Sequence, residues 1–125
     1  MTRHPITSEK LPPVAGPFSP GMRAASAIYL SGQVAQDPVS GKLIAGDARA
    51  QAEQIFANLK VALEAGGRTL ADVVRVGVYL TDIADFAAVN EVYARHFTTP
   101  FPARTCIGVA ALPLGASVEI DLIAN

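Results

Sequence analysis

Two stretches of the chain repeat apolar residues at intervals of three and four, the spacing of one face of an α-helix. The first begins after Asp47, a favourable helix N-cap, and stops at Gly66 and Gly67. The second begins within residues 81–85, which include Asp82 and Asp85, and ends before Pro100. The apolar positions are Ala52, Ile55, Phe56, Leu59, Ala62 and Leu63 in the first helix, and Phe86, Val89, Tyr93 and Phe97 in the second.

Apolar and β-branched runs predict strands before, between and after these helices. They lie at residues 4–7, 23–34 (one strand or two short ones), 72–80, 102–108 and 117–121. The face of the strand at 72–80 that a helix would cover is expected to consist of Val74, Val76, Val78 and Leu80. The last two strands are expected to pair as a C-terminal hairpin around the turn at 113–116.

This order of elements predicts an α+β fold in a single domain spanning residues 1–125. Right-handed crossovers would place both helices on one face of the sheet, so the chain has no element to cover the other face. Half of the 125 residues are hydrophobic and 17% are charged. We therefore expect an oligomer in which sheets face one another.

Charge and composition exclude several classes of function. The net charge is −1 without a basic run, which argues against binding to nucleic acid or to an anionic membrane. No apolar stretch reaches the ~18–20 residues of a transmembrane helix, and no apolar run follows Arg3 as in a secretory leader. We expect a cytoplasmic protein. His4 and His96 lack ligand spacing and Cys106 is the single cysteine, so no metal site is predicted.

Arg104 and Glu119 are the candidate chemical groups of the C-terminal strands, which are otherwise largely apolar. A buried charge needs a partner, so these two side chains could pair with each other, face solvent, or meet a charged ligand. The guanidinium offers a planar fork that suits a carboxylate, and the glutamate could hold and polarise a water. Cys106 could be a nucleophile or a small buried residue, and no base lies in its own element.

The same segments resemble the Rid family, the reactive intermediate deaminases. The resemblance rests on PARTCI at 102–107, LP at 112–113 and VEI at 118–120, preceded by GPFS at 16–19, SGQ at 31–33 and FAAVNEVY at 86–93. It spans nearly the whole chain. It implies a chorismate-mutase-like (ferredoxin-like) mixed sheet with two helices on one face, and a homotrimer whose sheets form a barrel with three clefts between subunits.

The resemblance also implies an activity. Members of the family hydrolyse enamines and imines such as 2-aminoacrylate and 2-iminobutanoate to 2-oxo acids and ammonia, without a cofactor. Arg104 would bind the substrate carboxylate, and Glu119 would orient water and move protons. Cys106 would contribute its backbone amide, Gly32 would let the backbone come close, and Asn90 would shape the cleft.

The chain departs from the family pattern in its first loop. Family deaminases usually carry tyrosine after the Gly-Pro pair and glutamine two residues later, whereas this chain has Phe18 and Pro20. Phe18 keeps an apolar wall at the substrate and loses a hydroxyl. Two alternatives follow: a pathway-specific enzyme for a larger aminoacrylate or aminomuconate-like compound, and a trimer that binds a ligand or another protein without turnover.

Overall fold

The computed structural model describes residues 2–125, which form a six-stranded sheet and two α-helices. Three single turns of 3₁₀-helix lie in the connections, at Leu70–Asp72, Ile83–Asp85 and Pro113–Gly115. The elements in chain order are β1 Arg3–Ile6, β2 Gly21–Ala24, β3 Ala27–Gln33, α1 Ala48–Ala65, β4 Val73–Leu80, α2 Phe86–His96, β5 Ala103–Gly108 and β6 Val118–Ala124.

Helix α1 begins and ends where its sequence signals predict. The Asp47 carboxylate accepts a hydrogen bond from the Ala50 amide at 3.0 Å, and the Gly66 amide donates back to the Ala62 carbonyl. All six residues of the predicted apolar stripe are buried. Of the second predicted stripe, Val89 and Tyr93 are buried in α2 and Phe97 is buried directly after it, while Phe86 remains 39% exposed.

The sheet has the strand order β1-β2-β3-β6-β4-β5, so the predicted C-terminal hairpin is wrong. Strand β5 pairs in parallel with β4 after the α2 crossover, and β6 inserts between β3 and β4, antiparallel to both. The core face of β6, formed by Val118, Ile120, Leu122 and Ala124, is fully buried there. Strand β6, the more apolar of the two, occupies this central position, and β5 forms the edge of the sheet.

A second correction concerns the start of β4. Val74 does not share the buried face: it is 51% exposed, and Val73 is buried in its place. The pairing with β6 shifts between Val73 and Arg75, which is the signature of a β-bulge. A bulge adds one residue to a strand and so exchanges the two faces on either side of it. From Val76 onward the predicted alternation holds.

Both helices pack against one face of this mixed sheet, and the predicted fold class is confirmed. The core joins the α1 and α2 stripes to the inward residues of β3, β4 and β6. The other face is not covered by either helix, and Tyr29 and Ile107 are 48% and 45% exposed on it. Within residues 2–125, no helix is both long and apolar enough to cross a bilayer.

Candidate active site

Edge strand β5 directs Arg104 and Cys106 to the helix-covered face of the sheet. In the parallel pairing, Arg104 lies beside Val76 and Cys106 beside Val78, and both valines are fully buried in the core. Paired residues on neighbouring strands share a face. Arg104 therefore projects from the sheet toward α2 rather than toward the open face.

Helix α2 surrounds the Arg104 guanidinium with an amide and two aromatic rings. Arg104 Nη1 donates to Asn90 Oδ1 at 2.7 Å. The Arg104 Cζ lies over the Tyr93 ring at 4.7 Å from its centroid and over the Phe86 ring at 5.6 Å. Contacts of this length with a ring face attract a cation. None of the ion pairs formed within residues 2–125 includes Arg104.

A cavity of about 320 Å³ opens beside this arginine. Arg104 is the single charged group among its lining residues, which are Asn90, Tyr93, Ala94, Phe101, Pro102 and Arg104. Pockets with apolar walls and a few convergent polar groups are typical of small-molecule sites. One unpaired guanidinium in such a wall can bind one carboxylate.

Cys106 is half-buried behind Arg104 and does not have the features of a nucleophile. Burial raises the pKa of its thiol, and the Arg104 charge offsets this only in part. The thiol is therefore protonated at neutral pH, whereas an attacking sulfur must be a thiolate. Its surroundings favour the interpretation of Cys106 as a small apolar residue in the wall.

Glu119 lies on the opposite face of the sheet. On β6 it pairs with Tyr79 of β4, and Asp121 follows it on the same face, where it accepts a 2.9 Å hydrogen bond from the Tyr79 hydroxyl. Burial, with a smaller effect of the Asp121 charge, raises the pKa of the Glu119 carboxyl. A raised pKa lets this carboxyl hold and release a proton closer to neutral pH.

Gly32 of β3 lies against Glu119, and Phe18 of the first loop lies near Gly32. A Cβ atom on Gly32 would come within 2.5 Å of Glu119 Oε2, so only glycine leaves the carboxylate its present place. Gly32 also lines a small cavity of about 40 Å³ together with Phe18 and Pro20. Phe18 is 55% exposed, as an apolar group at the rim of a site would be.

The six predicted site residues thus fall into two groups. The Arg104 half consists of Arg104, Asn90 and Cys106, to which the structure adds Tyr93 and Phe86; the Glu119 half consists of Glu119, Gly32 and Phe18. Strand β4 separates the strands that carry the two charges, and the charges project from opposite faces. The alternative in which Arg104 pairs with Glu119 of its own chain is therefore wrong.

Tyr93 and Phe86 were predicted as part of the apolar stripe of α2, not as site residues. The signal that could have identified them is their spacing from Asn90: positions 86, 90 and 93 are four and three residues apart and so share one helix face. Among residues 2–125, no three His, Cys, Asp or Glu side chains gather closely enough to hold a metal ion.

Comparison with known proteins relates both halves to one family. The family model described as Endoribonuclease L-PSP matches residues 8–125. The chain is 43% identical to the goat (Capra hircus) protein named 2-iminobutanoate/2-iminopropanoate deaminase, over 99% of this chain and 90% of that protein. It is 41% identical to MMF1, named as mitochondrial, of Saccharomyces cerevisiae, over 98% and 84% of the two chains.

Solved structures give the same relationship. The crystal structure of RidA from the Antarctic bacterium Psychrobacter sp. PAMC 21119 superposes with a TM-score of 0.93 at 43% identity, over 97% of this chain and 98% of that one. The chain resembles these proteins over nearly its whole length. Because one relative carries a mitochondrial name, a cytoplasmic location stays a prediction.

Proposed function

The chain belongs to the Endoribonuclease L-PSP family, which includes the Rid proteins, and from this premise we propose that it hydrolyses small 2-imino and 2-enamino acids. An enamine first becomes the imine when a proton moves from its nitrogen to C3; water then adds to the C=N carbon, and the products are a 2-oxo acid and ammonia. The observation that carries the proposal is the unpaired Arg104 guanidinium, held at the wall of a cavity by Asn90 and Tyr93. No cofactor is required for this chemistry.

In this proposal Arg104 binds the substrate carboxylate. Asn90 Oδ1 already engages Nη1, and the remaining N–H groups of the guanidinium are available to the two carboxylate oxygens. Charge-assisted hydrogen bonds of this type contribute roughly 1.5–3 kcal/mol each, which is sufficient to orient a small acid. The carboxylate would fix the neighbouring C=N carbon in one place relative to the catalytic groups.

Glu119 would orient the attacking water and transfer protons. Addition of water to the imine carbon releases one proton, and the nitrogen must gain protons to leave as ammonia. A carboxyl whose pKa is raised by burial can take up the first proton and deliver it to the nitrogen. This assignment uses the same group as base and then as acid, which a pKa nearer neutral favours.

The two halves can meet only if two copies of the chain form each cleft. Arg104 and Glu119 project from opposite faces of one sheet, so a single chain cannot bring both to one substrate. The uncovered face carries exposed Tyr29 and Ile107, which a neighbouring sheet could bury. We therefore propose a homotrimer in which the open faces form a barrel and each interface joins one Arg104 half to one Glu119 half.

The lining of the cavity favours a small acid over a nucleic acid, despite the nuclease in the family description. A phosphate backbone is bound by several cations in a row. Here Arg104 is the one cation among the residues around the cavity, and the other five are apolar or neutral. Such a lining matches a ligand with one negative group.

The test is the hydrolysis of 2-iminobutanoate, generated in place from threonine by a threonine dehydratase. We expect the wild-type protein to accelerate the formation of 2-oxobutanoate above the spontaneous rate, and Arg104→Ala to abolish this acceleration. Arg95→Ala is a matched control, because Arg95 is an exposed cation on α2 that pairs with Glu53. An Arg104→Ala variant with wild-type turnover would reject the assignment.

Two rival functions are distinguished by extending this assay to other substrates and to ligand binding. If Phe18 marks a site for a larger aminoacrylate or aminomuconate-like substrate, a substrate panel will show faster turnover of the larger compounds, and Phe18→Tyr will improve turnover of 2-iminobutanoate. If the trimer only binds a ligand, 2-oxo acids will bind in the absence of any turnover.

A further inference from the structure

Three residues on one face of helix α2 contact Arg104. Phe86, Asn90 and Tyr93 follow one another at spacings of four and three, which aligns them along one face of the helix. The Asn90 amide oxygen accepts a hydrogen bond from Arg104 Nη1, while the Arg104 Cζ lies over both rings. One polar contact and two aromatic contacts therefore restrain the arginine.

The two rings are not equivalent. Tyr93 is 6% exposed, and its ring packs against Phe97 at 4.7 Å and edge-on against Phe56 at 6.1 Å between centroids. Phe86 is 39% exposed and lies 0.9 Å farther from the Arg104 Cζ, at 5.6 Å against 4.7 Å. A ring wedged between two buried aromatics can hold a neighbour in place, whereas an exposed ring can rotate away.

We propose that Tyr93 is a positioning residue for Arg104, and that it acts through the face of its ring. The inference rests on the proposed function, because it concerns the same arginine. The Tyr93 ring lies under the Arg104 Cζ and Asn90 engages Nη1, so the remaining N–H groups are left for a ligand in the cavity that Tyr93 and Arg104 line together. Without the ring, the arginine would sample other rotamers and bind a carboxylate less well.

The hydroxyl of Tyr93 offers a competing explanation. Its oxygen is buried and has no hydrogen-bond partner among residues 2–125. A tyrosine could therefore matter through its hydroxyl, through its ring, or only as core packing. These three roles are separated by Tyr93→Phe, which keeps the ring, by Tyr93→Leu, which keeps an apolar residue without a ring face, and by a packing control.

The packing control is Val92→Ala. Val92 is fully buried on the same helix, is not among the residues that line the cavity, and leaves the two aromatic neighbours of Tyr93 unchanged. It should destabilise the core as Tyr93→Leu does and leave Arg104 supported. A fall in melting temperature shared by Val92→Ala and Tyr93→Leu, with weaker ligand binding only in Tyr93→Leu, separates positioning from packing.

The measurement is calorimetric binding of 2-oxobutanoate, the product, together with the KM for the imine. We expect Tyr93→Leu to weaken binding about 5- to 30-fold, the range of a cation–π contact at a partly desolvated site. Tyr93→Phe and Val92→Ala should stay within about twofold of wild type. KM should rise in parallel for Tyr93→Leu while kcat changes little, since the restraint acts on carboxylate binding.

A double-mutant cycle with Arg104→Ala completes the test. If the ring acts through the arginine, Tyr93→Leu will have no further effect in the Arg104→Ala background. Equal binding by wild type and Tyr93→Leu, an equal loss in both backgrounds, or a Tyr93→Phe variant as weak as Tyr93→Leu would each overturn the proposal. A wild type that binds 2-oxobutanoate without hydrolysing imines would reject the proposed function alone.

Discussion

The Arg104 half and the Glu119 half differ in the contacts that surrounding residues make with the charged group. Arg104 is held by three side chains of one helix, through an amide at 2.7 Å and two ring faces. Glu119 has the bare backbone of Gly32 on one side and a second carboxylate, Asp121, two residues away on the same face. Neither charge takes part in an ion pair within residues 2–125.

The difference matches the two tasks that hydrolysis requires. A group that binds a carboxylate must keep its charge and its direction, and the contacts of Arg104 secure the direction without neutralising the charge. A group that moves protons must change its charge, and the surroundings of Glu119 raise its pKa rather than stabilise the anion. A rigid cation and an unstabilised carboxylate are thus expected on the two sides of one substrate.

The strongest test of this contrast is Glu119→Gln. We expect kcat to fall by about 10²- to 10⁴-fold, the usual contribution of a positioned acid–base group, with little change in KM. The amide keeps the shape of the side chain and cannot exchange a proton. Imine turnover over a range of concentrations measures both constants.

Asp121→Asn is the control for Glu119→Gln, since it alters the neighbouring carboxylate on the same face. It should preserve most of kcat and shift the acid limb of the pH profile downward, because the Asp121 charge helps to raise the pKa of Glu119. A Glu119→Gln variant that loses no more activity than Asp121→Asn would contradict the assignment of proton transfer to Glu119.

The second test changes the Arg104 half. Arg104→Lys keeps the positive charge and loses both the planar fork and the stacking surface. We expect KM to rise about 10- to 100-fold, the loss of one charge-assisted hydrogen bond, while kcat at saturation is largely retained. Steady-state kinetics beside Arg95→Ala measures this effect, and an unchanged KM would show that a point charge alone suffices.

The third test asks whether the halves belong to different chains. Arg104→Ala and Glu119→Gln homotrimers should each be inactive, but unfolding and refolding an equal mixture should restore roughly one quarter of the wild-type activity. Random assembly pairs an intact Arg104 half with an intact Glu119 half in about one interface of four. Mixing the two folded proteins without refolding is the control. A refolded mixture without activity would place both groups in one chain or outside the reaction.

Local signals in the sequence predicted local structure accurately, and pairing between distant segments was harder to predict. Asp47 and Gly66 each act on the adjoining turn of α1, and the stripe of α1 repeats every three or four residues, so their sequence order determines the helix. The false hairpin of β5 and β6 arose because neighbouring strands usually pair, and the insertion of β6 beside β4 is decided by burial over the whole sheet.

The same limit applies to the site. Arg104 and Cys106 share a face because side chains alternate along β5, but which face of the sheet Glu119 shares depends on the register between β4 and β6. That register is a tertiary property. Tyr93 was predicted as a core residue for a similar reason: the spacing of α2 indicates its burial, but not its tertiary contact with Arg104, eleven residues later in the chain.

The smallest expected effect concerns stability rather than turnover. In the unfolded chain Glu119 titrates near its ordinary value, and in the folded chain burial and Asp121 raise its pKa. The folded wild type therefore binds its proton more readily than the unfolded chain, and it loses stability as the pH rises through the interval between the two pKa values. Above that interval the full loss remains, because a charged carboxylate then stands in surroundings that disfavour it.

Glu119→Gln removes this loss and should melt at a higher temperature than wild type at pH 7. The difference should be no more than about 3 °C, because the carboxyl is only partly buried and solvent screens it. It should shrink toward zero as the pH falls to the ordinary range of a glutamic acid, where both proteins carry a neutral side chain. Glu64→Gln, which removes an exposed carboxylate from α1, is the control. A difference in melting temperature that does not change with pH would show that the amide acts by packing. The surroundings of Glu119 would then not destabilise its charged form, and the contrast between the two halves would depend on Arg104 alone.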